Sequence, residues 1–256
     1  MAGLSAGFRG GTHQARNAIE FRCNFNAVLR EAAAPPLGAV TQPSCRSGLT
    51  TVTPVIKLHK NDLPAGLAFG SSVAVDTETM GLRPQRDRLC LVQLSAGDGT
   101  AHLVQLGGDD WSAPNLKALL ANPSVLKIFH FARFDVGVLK HSLGVETEPI
   151  YCTKIASKLV RTYTDRHGLK DLCAELLGVE LSKQQQSSDW GGEKLTDQQR
   201  LYAASDVLHL HALKAKLDAM LQREERTEFA EACFRFIAIR ARLDLAGFED
   251  TDIFAH

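Results

Sequence analysis

The apolar positions of this chain fall into short blocks with two different periods. Ser72 to Glu78 is a β-branched run that ends in acids, the pattern of a buried strand. Arg88–Leu94 and Ala101–Leu106 follow, separated by the turn Ala96 to Gly99, and together the three runs predict an antiparallel meander. Val125–His130 and Pro149–Cys152 read as two further strands, for a total of about five.

Between and after these runs the period lengthens. Asn115–Ala121 and Arg133–Ser142 predict helices, the second with Phe134, Val138 and Leu139 at core spacing. Helices are expected at about 153–162 and 168–178. After the polar stretch 182–192, Thr196 and Gln199 have capping-box spacing. They open a long predicted helix with Leu201, Leu208, Leu213 and Leu217 inward, and another helix is expected at about 224–243. Strands first and helices after them predict an α/β fold, a mixed sheet with helices on both faces. No internal repeat is visible.

Residues 1–51 have a different texture. They are rich in Gly, Ala, Ser and Arg, lack periodicity, and read as a disordered or leader-like extension ahead of one domain over 52–256. The extension holds five arginines and only Glu20 and Glu31 as acids. Of 29 basic and 29 acidic residues overall, 24 and 27 remain in the domain, a net charge of −3. That balance does not favour gripping a long polyanion through many phosphate contacts. No run approaches the ~20 apolar residues of a membrane span, so a cytoplasmic protein is expected. Six scattered cysteines without paired spacing predict free thiols. His209 and His211 lie two apart on a predicted helix and point to different sides, which disfavours zinc.

The candidate chemistry lies in three acidic motifs: Asp76-Thr77-Glu78, Phe134-Asp135, and Tyr202 with Asp206. Asp76 and Glu78 share a strand face, and Tyr202 and Asp206 share a helix face. Adjacent carboxylates repel one another unless a cation lies between them. Four carboxylates from three elements can hold two divalent ions, and two such ions can cleave a phosphodiester.

In this order and with these neighbours, the motifs resemble the DEDD superfamily of 3′→5′ exonucleases, which share a ribonuclease H-like fold. The Tyr202-x-x-x-Asp206 spacing is similar to the tyrosine branch that includes ribonuclease D. The text of Leu181–Trp190 and Leu195–Asp206 is ribonuclease D-like beyond the acids. The likeness covers about residues 55–250, but the chain is too short for ribonuclease D's accessory helical domains. Asp76–Leu82 and Leu245–Phe254 look most like the compact, single-domain nano-RNase C group of alphaproteobacteria.

The resemblance implies a 3′→5′ exoribonuclease acting on very short RNA, above all diribonucleotides, with longer RNA or DNA as the alternative. An inactive nucleic-acid-binding module is a remote rival. It implies two Mg²⁺ or Mn²⁺ ions held by Asp76, Glu78, Asp135 and Asp206, with Asp135 acting largely through the outer shell. Tyr202 would orient the attacking water. Thr77, Leu82, His130 and Phe134 would contact substrate, with Leu82 wedged between the last two bases. Lys183 and Arg133 are candidate phosphate contacts, and Trp190 reads chiefly as a fold-locking residue. A homo-oligomer, an octameric ring, is implied as well.

Overall fold

The computed structural model describes residues 54–107, 111–182, 184–185 and 188–256. The extension over 1–51 and Lys183 lie outside the described residues. Six strands form one mixed sheet: β1 (Val55–Lys60), β2 (Ser72–Thr79), β3 (Leu89–Ser95), β4 (Thr100–Gln105), β5 (Leu126–Phe129) and β6 (Ile150–Cys152). Their order is β1-β4-β3-β2-β5-β6. The meander β2-β3-β4 is antiparallel, and β5 and β6 extend it in parallel beyond β2.

Strand β1 is an addition to the five expected. It pairs in parallel with β4 at the sheet edge, where Ile56 and Leu58 pack inward and lysines 57 and 60 flank them. Lysine on an edge strand blunts further pairing, and here it also weakens the apolar signal that marks a strand. Strand β3 shows the opposite case. All seven of its residues are buried, because the central strand is covered on both faces.

The helices are α1 (Pro114–Ala121), α2 (Ala132–Leu143), α3 (Thr153–Val160), α4 (Leu169–Leu172), α5 (Asp197–Leu208), α6 (Leu210–Arg223) and α7 (Thr227–Leu243). Helix α4 widens into a π-type turn through Leu177, which completes the helix expected at 168–178. The capping box forms as expected: Gln199 N–H donates to Thr196 Oγ1 at 3.2 Å, and Thr196 N–H donates to Gln199 Oε1 at 2.9 Å.

The single long helix after Thr196 is corrected to two. The helix is interrupted by a turn at His209 (φ −103°, ψ −7°), whose N–H donates to Val207 O, and this separates α5 from α6. Leu213 and Leu217 are buried and Leu208 is half-buried, but Leu201 is exposed. The inward face of α5 is instead Gln199, Ala203, Ala204 and Val207. Two alanines let the helix axis approach β2, β3 and β4 closely, and small side chains give a weak periodic signal. A main apolar core spans the sheet and most helices; a second cluster joins Cys90, Leu91, Leu103, Trp190, Leu195 and Ala203. Cys90, Cys152 and Cys173 are buried free thiols and Cys233 is an exposed one. Among the described residues, no helix is long and apolar enough to cross a membrane.

Candidate active site

The site forms where the parallel strands β2 and β5 end. Strand β2 delivers Asp76 and Glu78 on one face, and a register shift between Glu78 and Thr79 bends its last residues. Helix α2 starts just after β5 and places Asp135 in its first turn, where the helix dipole favours an anion. Helix α5, held close by its alanines, brings Tyr202 and Asp206 down from the other side. Three elements distant in sequence therefore converge on one cleft of about 730 Å³.

Asp76, Glu78 and Asp206 each offer an oxygen, and the three lie within 4.8 Å of one another. Asp135 stands outside this trio. It is buried, and Thr77 Oγ1 donates to its Oδ1 at 2.6 Å. Gln93 Nε2 donates to Asp76 Oδ2 at 3.2 Å. Thr77 is itself buried at the cleft wall, with its hydroxyl engaged by Asp135.

The electrostatics are unusual for a folded interior. Burial pushes the Asp76 carboxyl up to about 7. Burial and then the charges of Asp76, Asp206 and Asp135 push Glu78 up to about 10. Asp135 and Asp206 are raised by burial and by Asp76. Among the described residues, no lysine or arginine counts among the groups that shift these four carboxyls. A crowded all-oxygen, all-anionic set fits a hard divalent cation such as Mg²⁺ or Mn²⁺, which would remove the repulsion. The Tyr202 phenol is raised by burial and by the surrounding acids, with Asp206 first among them.

The other sequence candidates separate clearly. Leu82 is 83% exposed at the cleft mouth, so it is not a core leucine. Its loop is held by Asp87, whose Oδ2 accepts from Arg83 N–H at 3.0 Å. A Cβ on Gly81 would lie 2.3 Å from that oxygen, so any other residue there would displace the Asp87 carboxylate. His130 lines the cleft with Nδ1 2.9 Å from Thr153 Oγ1. Burial and nearby Lys154 lower its pKa to about 3, so the ring is neutral. Phe134 is half-buried at the cleft wall. Trp190 is buried at the cleft wall and tilted against Tyr202 at 6.1 Å between ring centroids. Arg133 is committed elsewhere: it forms a two-pronged pair with Asp244 and donates to Glu249 O at 2.7 Å. As a phosphate contact it is therefore corrected to a tether for the C-terminal segment.

Phe131, Lys154 and Lys170 also line the cleft, and nothing in the sequence had singled them out. Lys154 opens α3 directly after β6. A residue at the start of a helix that follows a parallel strand is the signal that could have found it.

The profile of the 3′–5′ exonuclease family matches residues 55–222, with every one of these acids inside the match. The chain belongs to this family. It is 34% identical over 157 residues to ribonuclease D of Gluconacetobacter diazotrophicus, covering 61% of this chain and 39% of that protein. The chain thus spans about two fifths of the length of the curated relatives it matches. Brucella melitensis NrnC bound to pGG superimposes with a TM-score of 0.77 at 56% identity, covering 79% of this chain and 99% of that one. The same Brucella protein with bound Mg²⁺ gives a TM-score of 0.76 at 56% identity, with the same coverage. The fold of this family member is the mixed α/β sheet of ribonuclease D-like exonucleases.

Proposed function

We propose that this exonuclease is a metal-dependent 3′→5′ exoribonuclease that hydrolyses very short RNA, above all diribonucleotides, to nucleoside 5′-monophosphates. The observation that carries the reading is the convergence of Asp76, Glu78 and Asp206 within 4.8 Å at the floor of an open cleft. Asp76, Glu78 and Asp206 would hold the divalent ions, with Asp135 adding its negative charge from behind them. When bound, the pair of Mg²⁺ or Mn²⁺ ions would supply Lewis-acid stabilisation of charge and a lowered pKa for the attacking water. Tyr202 would orient that water: its phenol is raised above the ordinary value of about 10 and keeps its proton at neutral pH, so it donates rather than acts as base. Leu82 would part the last two bases, with His130 and Phe134 beneath the terminal nucleotide and Thr77 holding Asp135 in place.

A domain of net charge −3 suits a substrate with few phosphates. The pGG ligand of the Brucella relative agrees with that size. Assembly as a homo-oligomer, an octameric ring, and a cytoplasmic location belong to the same reading. Light scattering tests the first: a monomer at micromolar concentration would remove it. The deciding experiment compares cleavage of two-, three-, seven- and twenty-nucleotide RNAs with Mn²⁺. The dinucleotide should be cleaved fastest. Equal rates at all lengths would replace this reading with a broader ribonuclease D-like activity on longer RNA or DNA.

A further inference from the structure

Phe131 breaks two local preferences at once. It is the N-cap of α2, a position that favours Ser, Thr, Asp, Asn or Gly, and its side chain caps nothing. Its backbone is also left-handed (φ 71°, ψ 43°), a region that a bulky residue seldom enters. Burial compensates only in part, because the residue is 45% exposed. Strain of this kind persists where surrounding structure enforces it, and it concentrates at binding sites.

The surroundings do enforce it. His130 and Phe131 at the end of β5 are gripped by Thr153 and Lys154 at the start of α3. Thr153 Oγ1 meets His130 Nδ1 at 2.9 Å, and Lys154 Nζ lies 4.1 Å from the Phe131 ring centroid. Phe131 and Leu82 both line the catalytic cleft, and both also line a neighbouring groove that runs toward Asp244. An exposed aromatic ring, clamped by a cation on one side and standing at the junction of two cavities, presents a π surface to whatever leaves the cleft by that route. A nucleobase is the planar partner that a 3′→5′ exonuclease brings there.

From this geometry we infer that Phe131, clamped by Lys154, is the stacking platform for the penultimate base, the one on the 5′ side of the scissile phosphate. The inference rests on the exonuclease reading above and adds a specificity residue to it. Glycine is the probe of choice, since Phe131→Gly removes the ring and suits the left-handed backbone, so its melting temperature should match or exceed that of the parent. The substrates are a diribonucleotide and a seven-nucleotide RNA, each with and without the penultimate base (an abasic ribose). The parent enzyme should lose about 10- to 100-fold in kcat/KM when that base is absent. Phe131→Gly should lose the same factor on the intact substrates and nothing further on the abasic ones, while Phe131→Tyr stays near the parent. Equal losses for Phe131→Gly on intact and abasic substrates would overturn the platform. So would a parent enzyme indifferent to the base. Coupling seen on both substrates without a length preference would leave the platform standing and remove only the diribonucleotide reading.

Discussion

Two regions of this exonuclease bury charge, and they do so in opposite ways. Arg161, at the end of α3, is fully buried, yet its guanidinium is satisfied throughout. It pairs with the Glu175 carboxylate, donates to Ser157 Oγ at 3.0 Å and to Arg166 O at 2.7 Å, and Tyr163 donates to the same carboxylate at 2.6 Å. The acidic cleft crowds four carboxyls together, and among the described residues no lysine or arginine is among the groups that shift them. A buried charge with its partners is architecture; a cluster of buried carboxyls that raise one another's pKa values is a functional-site candidate.

The largest effect should come from the acidic side of this contrast. Asp206→Ala should lower kcat/KM on a dinucleotide by on the order of 10³-fold or more in Mn²⁺, read in a nuclease assay. The parent protein should gain melting temperature in Mg²⁺, since a ligand that binds only the folded state stabilises it, and Asp206→Ala should abolish that gain. Activity retained within tenfold would mean that the cluster is not the reaction centre.

The next effect belongs to the arginine. Glu175→Ala should destabilise the fold by ~1–3 kcal/mol in denaturant titration, less than a fully buried pair would cost because Glu175 is half open to water. The Mg²⁺-dependent rise in melting temperature should survive. Loss of that rise would show that the two regions are not separable.

A smaller effect has the opposite sign. In EDTA near pH 8, Asp76→Asn should stabilise the protein by ~1–2 kcal/mol, because it removes one buried charge from an uncompensated cluster. That corresponds to a few degrees in melting temperature for a domain of this size. The same physics sets a pH dependence for the metal-free protein. Asp76 is raised to about 7, so its folded form holds a proton that the unfolded chain releases near pH 4. The contribution of Asp76 to stability is therefore fully present below pH 4 and is lost as pH rises through 7. Asp76→Asn should remove that part of the pH dependence in denaturant titrations of the metal-free protein, and a profile identical to the parent's would contradict the raised carboxyl.

Much of the site was legible in the chain. Asp76 and Glu78 were readable as a pair because a strand alternates faces, and Tyr202 with Asp206 because a helix repeats every three to four residues. The cap at Thr196 was readable because its chemistry is local. Leu201 was misplaced inward because leucines dominate a periodicity count, whereas the face that packs is built from Ala203 and Ala204. The break at His209 and the lysine-flanked strand β1 carry no strong local marker and escaped for that reason.

By itself the sequence determined the inventory: which acids exist, which elements carry them, and which pairs share a face. Those facts follow from short-range backbone geometry, and short-range geometry is written in consecutive residues. Only the tertiary structure decided how the inventory is used. It brought Asp206 within 4.8 Å of Asp76 and Glu78 while Asp135 went to Thr77, turned Arg133 from phosphate toward Asp244, left Leu82 in the open, and set Lys154 against a strained Phe131. Each of these depends on the distance between elements far apart in the chain, which is set by how closely side chains such as Ala203 allow them to pack.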